Sequence, residues 1–291
     1  MPMTVRELRD GDLDWAVGLY VAWDPLPGEV NWRRLLSGEA VPILRHLVVE
    51  ENRERVGLGA VATPEGLPYP IVSILVVQPH RGRGIGTLLL SELLPYAESE
   101  QVGAAMPVGD PESLAIVQSW GFEVVSHGID SVLGLADRPE GPGLPSGCRL
   151  EHVAGPSILA RAAEIDAFLA QVGDFPEVEL LGTRLTAGIL RTYNPDAEWL
   201  LLLDEGGIVA ATAIEPRADG DWYVDFTGVL PRARGRGLAA SIKTAAHAMA
   251  ERRGARRVRT TNEERNARVR ALNARLGYRP DGGDIRLLRA Q

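Results

Sequence analysis

Residues 78–86 read QPHRGRGIG, and residues 231–239 read PRARGRGLA. We predict a strand before each of these turns and a helix after it. β-branched residues dominate 71–77, β-branched and aromatic residues dominate 222–229, and apolar residues recur at helical spacing in 87–94 and 240–251. Glycines let successive backbone N–H groups converge, and a helix N-terminus adds partial positive charge. Each strand–turn–helix unit therefore predicts an anion site large enough for a pyrophosphate.

The two turns belong to an internal repeat. Arg81 and Arg234 lie 153 positions apart, and a glycine followed by an aromatic residue recurs later as Gly121-Phe122 and Gly277-Tyr278. Residues 138–147 are rich in proline and glycine and read as a linker. We predict two α+β domains, 1–137 and 148–291, each with a mostly antiparallel mixed sheet flanked by helices.

Composition narrows the function. The 291 residues are 45% hydrophobic and 24% charged, as in ordinary globular proteins, and no apolar stretch is long enough for a membrane helix. The net charge of −8 argues against nucleic acid as a partner. The single cysteine, Cys148, and the scattered histidines predict neither a disulfide framework nor a metal site. The N-terminus becomes charged too early for a signal peptide, so we expect a cytoplasmic protein.

Other glycine-rich phosphate motifs do not fit. A P-loop needs GxxxxGK followed by Ser or Thr, and a dinucleotide fold needs GxGxxG with an acid about 20 residues later. Neither pattern occurs at these turns. An arginine–glycine nucleic-acid segment is a disordered repeat, whereas each of these turns stands alone between a strand and a helix.

Both turns resemble the signature of the GCN5-related N-acetyltransferases, [Q/R]-x-x-G-x-[G/A], and the later glycine–aromatic pairs fit the same family. The arrangement resembles its tandem members of the mycothiol synthase type. The resemblance implies that acetyl-CoA places its pyrophosphate on the turns and its pantetheine arm along the ends of the preceding strands. The implied coenzyme-binding residues are Leu75, Val76, Val77, Arg81, Gly82, Arg83, Gly84, Ile85, Gly86 and Thr87 in the first half, and Thr227, Gly228, Val229, Arg234, Gly235, Arg236, Gly237, Leu238, Ala239 and Ala240 in the second.

Acetyl transfer needs a base for the amine and a donor for the oxygen that becomes negative. The resemblance implies a backbone N–H donor near Val229 or Val77. Alternation along the second strand places Tyr223, Asp225 and Thr227 on one face. The matching positions of the first half are taken as Ile71, Ser73 and Leu75. Asp225 is therefore the candidate base, and the alternative is a carboxylate that an arginine satisfies.

The family's usual acid, a tyrosine four residues before the later glycine, is replaced by Asn273 and by Val117. Water or Tyr278 is left to protonate the leaving thiolate. Only the second half has an asparagine-rich segment, in which Asn262, Asn266 and Asn273 can cap a helix or bind the pantetheine arm. We therefore expect two coenzyme sites and one active site, in the second half.

The leading prediction is an acetyl-CoA-dependent N-acetyltransferase for a small amine. A coenzyme-A-sensing scaffold without turnover and a protein N-acetyltransferase stay open as alternatives. The acidic residues Asp174, Glu177 and Glu179 fit either a site for a cationic acceptor or a solvated loop. Both a monomer and a homodimer are compatible with the sequence, and the tandem repeat favours the monomer.

Overall fold

The computed structural model describes residues 3–24, 27–173 and 185–291. These residues form two compact units, residues 1–127 with 284–291, and residues 128–283. The fold is α+β, as predicted. The division into compact units differs from the predicted boundaries 1–137 and 148–291, which follow the sequence repeat. The difference arises because residues 128–134 pair within the second unit and residues 284–290 pair within the first.

The first unit contains four α-helices among its described residues. They are α1 (Leu13–Trp23), α2 (Gly28–Leu36), α3 (Ile85–Leu93) and α4 (Pro111–Ser119). Its strands are β1 (Thr4–Glu7), β2 (Ile43–Glu51), β3 (Glu54–Ala62), β4 (Ile71–Val76), β5 (Gln101–Pro107), the start of β6 (Glu123–Gly134) and the end of β12 (Arg279–Ala290).

The sheet of this unit runs β1-β2-β3-β4-β5-β12, and every described pairing is antiparallel except β4 with β5. Helix α3 packs on it through Ile85, Leu89 and Leu93, which recur every four residues and are almost fully buried. Residues 284–290 of β12 pair with β5 and bury Ile285 and Leu287 in the same core. The last residues of the chain therefore complete the first unit.

The second unit also has four α-helices among its described residues. They are α5 (Ala162–Val172), α6 (Ala187–Tyr193), α7 (Leu238–Arg252) and α8 (Ala267–Arg275). Its strands are β7 (Arg149–Val153), β8 (Glu198–Asp204), β9 (Gly207–Pro216), β10 (Trp222–Val229), β11 (Arg257–Glu263), the end of β6 and the start of β12.

The second sheet repeats the order of the first, as β7-β8-β9-β10-β11-β6, and only β10 and β11 are parallel. Helix α7 covers this sheet with Leu238, Ile242, Ala246 and Ala250, again every four residues and almost fully buried. Residues 128–134 of β6 pair with residues 257–263 of β11. Each sheet is thus completed by a strand that the sequence places in the other half.

Candidate active site

The second turn has the geometry of an anion site. Gly235 and Gly237 adopt φ values of +77° and +78°, which favour glycine, and a Cβ atom at either position would meet no atom within 4 Å. Helix α7 starts directly afterwards, and no side chain caps its first N–H groups. The Arg234 guanidinium donates to the main-chain oxygens of Val172 (2.7 Å) and Val229 (3.4 Å), which fixes the turn to its surroundings. The turn is open, donor-rich and positively polarised, so its residues fit a pyrophosphate.

The first turn adopts the same backbone conformation. Gly82 and Gly84 have φ values of +73° and +81°, and the space beside both is also open. Gly84 directly precedes helix α3 with a ψ of 0°, and Gly237 directly precedes helix α7 with a ψ of 2°. Equal glycine spacing thus produces equal local geometry.

The charges at the two turns differ. In the first unit Arg83 donates to both carboxylate oxygens of Glu51, at 2.7 and 2.5 Å. The matching carboxylate of the second unit is Asp204, which pairs instead with Arg232 at 3.0 Å. Arg236, the counterpart of Arg83, is exposed and has no hydrogen bond in the described part of the chain. Of the two described turns, the second leaves this guanidinium without a hydrogen-bonded carboxylate, although the Arg236 charge contributes to lowering the pKa of Asp204.

Trp120 also covers the start of helix α3. The Trp120 indole N–H donates to Thr87 Oγ1 at 3.2 Å, and a Cβ atom on Gly86 would lie 3.0 Å from the indole ring. The matching residues of the second half are Ala239 and Leu276. The helix start in the first unit is thus more enclosed by its own side chains.

The parallel strands of the second unit separate after a short pairing. Strands β10 and β11 pair only at Trp222–Val258 and Tyr223–Arg259, although both strands continue. The N–H of Leu230 donates to β9 at 3.0 Å, so alternation along the strand turns the N–H of Val229 towards the gap. This geometry fits the predicted oxyanion donor at Val229.

The first unit shows the same gap, because β4 and β5 pair only at Ile71–Gly103. The N–H of Val77 donates to the Val56 oxygen at 3.0 Å, so the donor predicted near Val77 is not that residue itself. By the same alternation, the N–H that faces the gap in this unit is that of Val76.

Strand β10 carries a β-bulge at the candidate base. Val224 pairs with Ile214 and Phe226 with Ala213, so Asp225 is an extra residue without a partner on β9. Strand β4 pairs with β3 without interruption. Matched by register, Ile71 is the counterpart of Tyr223, but Ser73 corresponds to Phe226 rather than to Asp225. The predicted match was wrong there because the bulge inserts one residue, and Asp225 has no counterpart in the first unit.

The bulge also breaks the predicted grouping of Tyr223, Asp225 and Thr227. A Cβ atom on Gly228 would contact Phe226 and Val172, so Phe226 and Gly228 share a face and Thr227 points to the other. There its hydroxyl bonds Thr212 Oγ1 at 2.9 Å. The structure brings together only the first two predicted residues, and sequence alternation failed because it assumes an unbroken strand.

Arg217, directly after β9, contacts both Tyr223 and Asp225. Its guanidinium carbon lies 4.4 Å from the centre of the Tyr223 ring, and its Nη2 lies 3.4 Å from Asp225 Oδ1. Its Nη1 lies 2.8 Å from Glu215 Oε1. Sequence reasoning missed Arg217 and Glu215, although the β9–β10 hairpin places Glu215 directly opposite Tyr223. Two carboxylates thus share one arginine.

The Asp225 carboxyl is poorly compensated. Its Oδ2 is buried and forms no hydrogen bond within the described residues. Burial, and then the negative charge of Glu215, raise its pKa well above the ordinary value, and Arg217 offsets only part of this shift. A buried carboxyl with a raised pKa beside a strand gap suits a proton acceptor.

A second hydrogen-bond chain starts from Tyr223. Its hydroxyl donates to Thr261 Oγ1 at 2.7 Å, and the Thr261 hydroxyl donates to Asp130 Oδ1. Burial raises the pKa of the Tyr223 hydroxyl. Neither Thr261 nor Asp130 was predicted, and Asp130 carries no sequence signal because β6 precedes the linker.

The predicted asparagines are placed in two ways. Asn273 donates to Asn262 Oδ1 at 2.6 Å and ties helix α8 to the end of β11. Asn273 is buried, and its own Oδ1 accepts no hydrogen bond from the described residues. Asn266 caps α8 by accepting from the N–H of Val269 at 3.3 Å, so the predicted capping role is confirmed for this residue.

Tyr278 belongs to a separate polar cluster, whose other members His247 and Lys243 lie on helix α7. Its hydroxyl bonds His247 Nε2 at 2.7 Å, and Lys243 Nζ lies 5.0 Å from its ring centre. Burial lowers the pKa of His247 to about 3 and that of Lys243 to about 7. The imidazole is therefore neutral, and its hydrogen bond occupies the Tyr278 hydroxyl. No contact joins Tyr278 to Tyr223 or Asp225 in the described part of the chain.

Three further expectations concern ligands and surroundings. Asp174, Glu177 and Glu179 lie outside the described residues. Within the described ranges, no group of His, Cys, Asp or Glu side chains is arranged to hold a metal ion. None of the described helices is long and apolar enough to cross a membrane.

Both halves of the repeat match one known family. A sequence profile described as the acetyltransferase (GNAT) family matches residues 12–116 and again residues 168–278. The chain belongs to the GNAT acetyltransferase family. This GNAT protein is 30% identical over 256 residues to a mycothiol acetyltransferase of Beutenbergia cavernae, and the alignment covers 81% of this chain and 80% of the relative.

Solved GNAT structures share the fold. A tandem GNAT protein from the clavulanic acid biosynthesis pathway matches with a TM-score of 0.78 at 20% identity, over 99% of this chain and 98% of that one. A GCN5-related N-acetyltransferase from Sphaerobacter thermophilus matches with a TM-score of 0.72 at 19% identity, over 99% and 95% of the chains. The predicted tandem GNAT architecture is confirmed.

Proposed function

We propose that this GNAT protein transfers the acetyl group of acetyl-CoA to a small amine, and that the second half carries out the chemistry. The observation that carries this proposal is the bulged Asp225. Asp225 lies two residues after Tyr223, the last residue of β10 that pairs with β11. The same strand leads into the open turn. The first half has no counterpart of this carboxyl.

Each residue has a defined role in the proposal. The N–H groups of residues 235–240 and the Arg236 guanidinium hold the pyrophosphate. The gap between β10 and β11 accepts the pantetheine arm, and the unpaired Oδ1 of Asn273 suits one of its amide N–H groups. The Val229 N–H donates to the acetyl oxygen as it becomes negative. Asp225 accepts a proton from the attacking amine, and water supplies the proton for the thiolate because Tyr278 is bonded to His247.

We propose that the first turn also binds the coenzyme, but more weakly than the second. Its glycine geometry supports binding. The ion pair between Arg83 and Glu51 opposes it, because an added pyrophosphate must compete with a carboxylate already in place. The Trp120 indole beside Gly86 narrows the approach.

The charges near Tyr223 support a cationic amine as the acceptor. Glu215, Asp225 and Asp130 are three carboxylates connected to Tyr223 or to its partner Arg217. Acidic groups around the acceptor position attract an ammonium group. The relation to a mycothiol acetyltransferase favours a small molecule over a protein as the acceptor.

The test measures thiol release from acetyl-CoA with a panel of amino sugars, aminoglycosides, amino-acid derivatives and a lysine-containing peptide. Turnover with a small amine supports the proposal. Tight coenzyme binding without turnover on any acceptor would indicate a sensing scaffold, and preference for the peptide would indicate a protein acetyltransferase.

A matched pair of variants assigns the two turns. Gly237→Asp and Gly84→Asp impose the same backbone strain, because both glycines have φ near +80° and open space beside them. The new carboxylate repels a bound pyrophosphate. We expect Gly237→Asp to abolish turnover and the tighter binding event in calorimetry, and Gly84→Asp to remove only the weaker event. Loss of turnover in Gly84→Asp alone would contradict the assignment.

A further inference from the structure

Acetylation of an ammonium group releases two protons from one nitrogen, one before attack and one after it. One proton ends on the thiol of coenzyme A and the other reaches solvent. A site that accepts a cationic amine therefore benefits from two separate proton acceptors near the nitrogen. Asp225 is one. The second must lie within reach of the same strand gap.

The directions of the hydrogen bonds from Tyr223 are fixed by chemistry. An ionised Asp130 can only accept, so Thr261 must donate to it. The Thr261 oxygen can then only accept from Tyr223, at 2.7 Å. The Tyr223 oxygen consequently offers lone pairs, not a proton, to a group in the gap. Such a group must itself be an N–H or O–H donor.

The hydrogen-bond chain from Tyr223 to Asp130 lies beside the gap between β10 and β11. Tyr223 and Arg259 form the last pair before β10 and β11 separate, and Thr261 lies two residues further along β11. The Tyr223 hydroxyl therefore bridges the gap close to where it opens. Asp130 lies on the neighbouring strand, directly opposite Thr261 in the β6–β11 register.

We propose that Asp130, connected through Thr261 to Tyr223, is the second proton acceptor of this site. The amine nitrogen gives a proton to the Tyr223 oxygen as the tyrosine proton moves to Thr261 Oγ1 and the threonine proton moves to Asp130. The amine loses one proton, Asp130 gains one, and both hydroxyl groups are restored. Thr261 and Asp130 are positioning residues that act through Tyr223. This inference rests on the proposed acetyltransferase function.

The test compares Thr261→Val, Thr261→Ser and Asp130→Asn with Thr260→Val. Thr260 is a matched control because its hydroxyl donates to the main-chain oxygen of Val224 at 3.0 Å and takes no part in the chain. We expect kcat to fall about 10- to 100-fold in Thr261→Val and Asp130→Asn. It should stay within about twofold in Thr261→Ser and Thr260→Val, with an unchanged KM for acetyl-CoA throughout.

Two further readouts separate a relay from a structural role. Because Thr261 and Asp130 serve one path, the double variant should be no slower than Thr261→Val alone. Added imidazole at fixed pH should restore part of kcat in both slow variants and leave Thr260→Val unchanged.

The relay is refuted if Thr261→Val retains wild-type kcat, if the two losses multiply, or if imidazole restores nothing. These outcomes leave the proposed function intact. Absence of turnover in the wild-type protein refutes the proposed function instead.

Discussion

Replacing Asp225 with asparagine should make the protein less active and more stable. The ionised carboxylate has one oxygen 3.4 Å from Arg217, while the other is buried and lacks a hydrogen bond. Glu215 holds the same arginine more closely, at 2.8 Å. Asparagine keeps the shape and removes the buried charge. We expect kcat to fall about 10²- to 10⁴-fold and the free energy of unfolding at pH 7 to rise by about 1–3 kcal/mol.

The pH dependence has a definite sign. The folded-state pKa of Asp225 lies above its ordinary value of 3.8, so the fold favours the neutral form. Protonated Asp225 makes its full contribution to the free energy of unfolding below pH 3.8, and this contribution is lost as the pH rises through the folded-state pKa. The advantage of Asp225→Asn over the wild type should therefore vanish at low pH and grow as pH rises. Over the same interval wild-type kcat/KM should increase, because the base becomes ionised.

The assay pairs thermal unfolding, followed by circular dichroism between pH 4 and 8, with thiol release under the same conditions. Asp204→Asn is the control, because Arg232 lowers the pKa of that carboxyl and its removal should give no gain in stability at pH 7. If Asp225→Asn unfolds more readily at pH 7 and keeps its activity, Asp225 is a structural partner of Arg217 and the base assignment is refuted.

Three more predictions concern the rest of the chain. Lys243→Met should raise the free energy of unfolding at pH 7 by about 1–4 kcal/mol, because it removes an almost fully buried amine. Since burial lowers its folded-state pKa to about 7, the gain should shrink towards pH 10.5 in urea unfolding, and a constant or negative difference would contradict this. Glu51→Gln should release Arg83 and tighten the weaker coenzyme-binding event several-fold in calorimetry; an unchanged affinity would show that the ion pair does not compete. Deletion of residues 284–291 should cost the first unit on the order of 4 kcal/mol or more, seen as an earlier urea transition, because two buried aliphatic side chains leave its core; an unchanged transition would argue against the strand assignment.

The sequence alone determined the parts of this protein that depend on neighbouring residues. Two glycines separated by one residue, between a strand and a helix, adopt positive φ at both turns because no other residue does so at so little cost. The Asn266 cap and the hairpins are likewise local. The repeat of these signals predicted two α+β domains, and their resemblance to the family signature predicted the tandem GNAT fold.

Only the tertiary structure decided how distant residues meet. The bulge at Asp225 depends on the register between β9 and β10, so it moved Thr227 away from the predicted group. The pairing of residues 128–134 with β11 brought Asp130 to Thr261 across the linker. Strand register and strand exchange are set by the burial of whole faces, which a single segment does not encode. The anion turns could therefore be predicted from local sequence, whereas the proton acceptors around Tyr223 required the folded chain.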